Sequence, residues 1–189
     1  MVSIMECIQG NSVIAAVRSI EDFKKAVHSG SEIIFDLSPD ISDVSEKTST
    51  AHSAGKKFFI HLDLANGIGK DRSGIMFVKK MGVDGIISTR ANIIKLAREA
   101  GLFTVQRFFA VDSQSVDTTV ESQKSSKADM IEIMPGIIPR VINVLKNRVN
   151  VPIIAGGLIE TREEICDALK SGASAVSTGK SELWKKGEK

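Results

Sequence analysis

The chain is poor in the features that mark a specialised class of protein. It has two cysteines among 189 residues, Cys7 and Cys166, with no CxxC and no ligand-like spacing. Two reduced, partly buried thiols in a cytosolic protein are therefore expected, not a disulfide framework. The formal net charge is only +2, with no block of one sign. A nucleic-acid-binding module usually shows a basic excess or stripe, so composition lends no support to one beyond local patches. No apolar run approaches the roughly 18 to 20 residues of a membrane span. The start, MVSIMECIQGNS, has neither a basic n-region nor a long apolar stretch, so no signal peptide is expected. Together these absences predict a cytoplasmic protein with no membrane partner.

The common catalytic signatures are missing too. There is no GxGxxG after the first apolar run, no HExxH, no GxSxG and no P-loop. No strand-end lysine occupies a Schiff-base position; Lys56 and Lys57 lie at the opposite end of their strand. No cofactor, metal ligand or catalytic residue is assigned.

What is there is regular. The chain is 42% hydrophobic and 25% charged, enough for one well-packed domain over residues 1–189. Eight short apolar runs recur: VIAAV (13–17), EIIFDL (32–37), KFFIHLDL (57–64), GIIST (85–89), FTVQRFF (103–109), MIEIMP (130–135), VPIIAGG (151–157) and SAVSTG (174–179). Short, β-branched or aromatic runs bounded by Gly, Pro or polar residues predict buried parallel strands. Helical patterns lie between them. SIEDFKKAVHSG opens on Ser19 and closes at Gly30; TREEICDALKSG opens on a Thr161–Glu164 capping box and closes at Gly172. ANIIKLAREAG, GIIPRVINVLKNRV and the weakly amphipathic DSQSVDTTVESQKSSK also read as helices. Eight βα units predict an α/β protein, a compact TIM-like (β/α)8 barrel. An open doubly wound sheet is the competing topology.

In such a barrel, function sits at the C-terminal strand ends. Those ends carry Arg18, Asp36, His61, Asp63, Thr89, Arg90, Gln106, Arg107, Glu132, Pro135-Gly136, Gly156-Gly157 and Thr178-Gly179-Lys180. A phosphate at the mouth is often held by the loops after strands 7 and 8 and a helix N-terminus, where backbone N–H groups converge and a Cβ would intrude. Gly156-Gly157 with Ser177, Thr178 and Gly179 suits that role; a plain tight turn is the alternative reading. His61 and Asp63, two apart on a predicted strand, share a face and suit acid–base chemistry, ligand contact or polar support. Glu132, a lone acid between Met130 and Met134, needs a partner, and Arg18, Arg90 or Arg107 can supply it.

GIISTRANII, VQRFFAVDS, IEIMPGIIP, IIAGGLIETREE, HLDLANGI and the C-terminal LWKK closely resemble the glycerol uptake operon antiterminator family, in order along nearly the whole chain. The resemblance implies a TIM-barrel regulator of glycerol catabolism. It also implies a response to glycerol 3-phosphate and action on a leader mRNA that favours transcription past a terminator. By matching motif it implies ligand contacts at Arg18, Asp63, Arg90, Arg107, Glu132, Gly136, Gly156, Gly157, Thr178 and Gly179. Asp63 and Glu132 would accept from glycerol hydroxyls. The oligomeric state, a homo-oligomer included, stays open. The alternative function is a barrel enzyme acting on a small phosphorylated metabolite. Two departures from the family pattern are STGKSELW after strand 8 and the glycine-rich NGIGKDRSG after strand 3. Candidate basic sites for RNA are Lys79-Lys80, Lys95 with Arg98, Arg140 with Lys146 and Arg148, and Lys185-Lys186, each of which also fits a solvated helix face.

Overall fold

The computed structural model describes residues 3–185. Eight parallel strands close into a barrel in sequence order. They are β1 (Val13–Val17), β2 (Ile33–Asp36), β3 (Lys57–His61), β4 (Gly85–Ser88), β5 (Phe103–Phe109), β6 (Met130–Met134), β7 (Ile153–Gly156) and β8 (Ala175–Thr178). Seven helices connect them: α2 (Ile20–Val27), α3 (Val44–Ser53), α4 (Arg72–Lys80), α5 (Ala91–Glu99), α6 (Ser113–Ser126), α7 (Pro139–Lys146) and α8 (Arg162–Lys170). The predicted barrel is thus the observed one.

Each predicted run forms a strand because its residues are buried on both faces. Outward-facing Ala15, Ile34, Phe58, Ile60, Ile86 and Val176 pack against Phe23, Ala26, Val78, Ile93, Ala97, Ile142 and Ile165 of the helices. A shell of this kind rewards continuous apolar runs over alternation. Asp36 also points outward, where Lys47 of α3 donates to it at 2.9 Å. Gln106 likewise faces α6, bonding Ser122 and Ser126. These two strand-end candidates are therefore framework, separated from the mouth by the alternation of the strand.

The interior is built in layers. Along paired residues Gly156 leads to Ser177, Ile14, Ile33 and Lys57, and the registers continued round the barrel return to β7 at Arg148, a displacement of eight residues. That is the shear of a TIM barrel. It sets Ala16, His61, Arg107 and Gly156 at one height, one from each odd-numbered strand. The layer two residues lower is Ile14, Phe59, Val105 and Ile154, all apolar and buried. Between the two lie Phe35, Ile87, Glu132 and Ser177 from the even strands. Polarity therefore begins midway up the barrel, at Glu132.

The remaining α-helix comes before β1, not after β8. In α1 (Ile4–Gly10), Ser3 and Glu6 form a capping box, and Cys7 and Ile8 join the interior cluster of Ile14, Ile33, Phe35 and Phe59. This helix closes the N-terminal end of the barrel. After β8 the described residues form only a short 3-10 turn (Ser181–Leu183) and a fully buried Trp184. With a short turn in place of a helix after β8, the described residues close the barrel in fewer residues than it usually takes. Lys186, named above with Lys185, lies outside the described residues. Among the described residues, no helix is long and apolar enough to cross a membrane.

Candidate functional site

A hollow of about 240 Å³ opens at the C-terminal end of the barrel. Arg18, Arg107, Glu132, Gly157, Thr178 and Gly179 of the predicted set line it, with Ala16, Asp22, Leu37, Met134, Leu158, Ile159 and Ser177. In the waist layer, that of Ala16, His61, Arg107 and Gly156, the small Ala16 borders the hollow where Ile14 fills the layer below.

Its floor is a buried polar cluster. Arg107 Nε donates to Glu132 Oε2 at 2.7 Å, and Ser177 Oγ donates to Glu132 Oε1 at 2.5 Å. Glu132 is fully buried and Arg107 is 6% exposed. Only Nε of the guanidinium is engaged: neither Nη group has a protein partner among the described residues, and Arg107 borders the hollow. The carboxylate thus fixes the guanidinium from behind and leaves its fork facing the cavity. Above it stands Arg18, exposed and in no ion pair among the described residues.

The predicted glycines divide by role. A Cβ on Gly156 would stand 2.5 Å from Glu132 Oε1 and 2.6 Å from Ser177 Oγ. Gly156 therefore makes room for the carboxylate cluster under the hollow. Gly157 has φ +77°, followed by Leu158 at φ +61°, so two successive left-handed residues turn the chain at the rim. Gly136 lies behind them, its N–H donating to Gly156 O at 2.6 Å. The expected helix N-terminus is capped by its own residues. Thr161 and Glu164 cap α8 reciprocally, and Glu164 also accepts from Glu160 N at 2.7 Å. Thr178 turns its hydroxyl to Ile159 O at 2.7 Å, and its carbonyl accepts from Trp184 Nε1 at 2.8 Å. Lys180 pairs with Glu160 at 3.2 Å. Ser177, expected with Thr178 and Gly179 beside the phosphate, spends its hydroxyl on Glu132 in the floor.

Asp63 and Arg90 form a separate cluster. The strand ends at His61, and Leu62–Leu64 wind into a 3-10 turn. Asp63 and His61 therefore do not share a strand face as their spacing predicts. Asp63 accepts from Ser88 Oγ at 2.8 Å and from Thr89 N and Oγ1 at 2.7 and 2.9 Å. Burial pushes its carboxyl up, but these bonds outweigh that and hold it below the ordinary value. Arg90 Nε approaches Asp63 to 3.7 Å. His61 is 3% exposed, and Nδ1 is buried without a partner. Burial, with Arg107 adding to it, lowers its pKa to about 4, so the ring is neutral at ordinary pH.

Larger grooves of about 480 and 660 Å³ lie outside the barrel, the first between α6 and α7, the second at the closed end. Neither holds a charged side chain as deeply buried and as free as the Arg107 fork. No cluster of three or more His, Cys, Asp or Glu able to hold a metal ion occurs among the described residues.

The glycerol-3-phosphate responsive antiterminator family model matches residues 13–184. The chain belongs to this family. It is 34% identical to the glycerol uptake operon antiterminator regulatory protein of Listeria monocytogenes str. 4b F2365, with a TM-score of 0.87 over 92% of this chain and 95% of that one. A glycerol uptake operon antiterminator-related protein from Thermotoga maritima MSB8 is 33% identical, with a TM-score of 0.82 over 92% and 97% of the two chains. An uncharacterized Escherichia coli K12 protein, YgcP, is 35% identical over 182 residues, 96% of this chain and 95% of that one. In this chain, the matched region runs from the first strand to Trp184 and so includes the whole mouth.

Proposed function

We propose that this antiterminator binds glycerol 3-phosphate in the mouth of its barrel, and that the bound ligand sets its action on a leader mRNA in the cytoplasm. The observation that supports this most is the free fork of Arg107, backed by Glu132 and overlooked by Arg18. A guanidinium held at Nε offers two parallel N–H donors, the geometry that a phosphate accepts. Gly157 and Leu158 at the rim add backbone N–H groups on the same side. Contact by Gly156, Gly136, Asp63 and Arg90 is indirect in this reading: they shape or brace the mouth.

The RNA surface is a separate question of charge. Lys79 donates to Ala100 O, Arg98 to Lys127 O, Lys95 to Ser125 Oγ, and Arg148 pairs with Asp117. These predicted basic sites are thus partly occupied in joining helices, while Lys80, Arg140 and Lys146 form no ion pair among the described residues. The test is leader-RNA binding by mobility shift, with and without glycerol 3-phosphate, across a salt series. Ligand should change RNA affinity, and affinity should fall as salt rises. Equal affinity with and without ligand would sink the gating. Gly157→Val should keep a folded barrel but lose ligand, because its Cβ would stand 2.6 Å from Met134 Cε at a left-handed φ. Intact binding in that variant would remove the rim from the site.

The neutral His61 suits a second reading, a barrel enzyme acting on a small phosphorylated metabolite. Turnover of a triose or sugar phosphate, abolished in His61→Ala with binding retained, would favour it.

A further inference from the structure

We infer that His61 is the specificity residue of the mouth: it hydrogen-bonds the glycerol hydroxyls of the ligand, which lie inward, while the phosphate lies outward between Arg107 and Arg18. This rests on the reading that the hollow holds glycerol 3-phosphate and says which end is read by which residue.

Three observations converge on it. The first is position. The registers place His61 in one layer with Arg107, Ala16 and Gly156, and Arg107 and Ala16 of that layer line the hollow. The second is an unmet need. Nδ1 is enclosed with no partner in the protein, and an unpartnered buried polar atom is costly. A small turn of the ring brings Nδ1 to a hydroxyl arriving in this layer, which supplies that partner. A neutral imidazole can donate at one nitrogen and accept at the other, which matches a hydroxyl that does both.

The third is the order of charge along the hollow. Glu132 sits at the floor with Ser177, Arg107 at the waist and Arg18 at the rim. A dianion pushed to the floor would meet a carboxylate. Hydroxyls at the floor meet an acceptor in Glu132 and an uncharged ring in His61. A phosphate set higher meets two guanidiniums. The gradient therefore orients a molecule with one anionic and one polyol end. The hollow, at about 240 Å³, suits a three-carbon ligand.

The experiment is calorimetric titration of wild type, His61→Phe and His61→Gln with glycerol 3-phosphate and, separately, with inorganic phosphate. Phosphate should bind wild type and His61→Phe within about twofold. Glycerol 3-phosphate should bind His61→Phe about tenfold more weakly, the loss of one good hydrogen bond. His61→Gln, which keeps a donor and an acceptor, should recover part of the difference and serves as the test variant if His61→Phe does not fold. If glycerol 3-phosphate keeps its affinity in both variants, the inference is overturned. It is equally overturned if both ligands weaken in parallel, because His61 then acts only on the shape of the site. Failure of both ligands to bind wild type would instead remove the reading of the hollow itself.

Discussion

The two sides of the barrel mouth carry the same kinds of group in opposite states. On the β3–β4 side, Asp63 is saturated by Ser88 and Thr89 and faces Arg90. That cluster is complete without a ligand. On the side from β5 round to β1, Glu132 is bound on both oxygens, yet the arginine that binds it keeps its fork free. Arg–carboxylate pairing alone therefore does not mark a site. What marks it is a charged group held firmly at one edge and unmet at the other.

The contrast can be broken by degrees. The largest effect is expected from Glu132→Ala, which leaves the Arg107 charge buried without its partner. Chemical denaturation should show a loss of about 3–5 kcal/mol, against about 1 kcal/mol for Asp63→Asn on the other side. Next comes pH. An unfolded histidine takes up a proton near its ordinary 6.5, while folded His61 resists until about 4. The unfolded state thus binds more protons in between, and stability should fall by about 3 kcal/mol as pH drops through that window. His61→Gln should flatten that part of the stability–pH curve; an unchanged slope would assign it to other groups. Arg107→Lys keeps a charge but loses the fork, so glycerol 3-phosphate should bind about 10- to 100-fold more weakly by calorimetry. The smallest effect is Asp63→Asn on ligand affinity, expected to stay within about twofold. A large loss there would join the two sides into one site.

The fold was legible because buried parallel strands advertise themselves as short apolar runs, and all eight runs became strands. Boundaries were legible where a cap marked them, as at Thr161–Glu164. Helix α1 was not: its seven residues are too few to show a period, although Ser3 and Glu6 carried a capping box. The site was legible as a list of strand ends but not as an arrangement. Gly156 reads in sequence like a phosphate contact, yet its Cβ space is taken by Glu132 and Ser177 of neighbouring strands, 24 residues before it and 21 after. Such a contact depends on the barrel's shear, which no local pattern encodes. Asp63 was misplaced for a simpler reason. The alternation that put it beside His61 holds only within a strand, and the strand stops at His61.

Helix α1 gives the barrel a property of traffic. With Cys7 and Ile8 seated under the apolar layers, the hollow is a cup with a single opening. In the proposed reading, a ligand would arrive and depart past the same rim residues, Arg18, Leu158 and Gly179. A macromolecule settled across that rim would then also govern how long the ligand stays, and the cup would keep a short memory of what it last held.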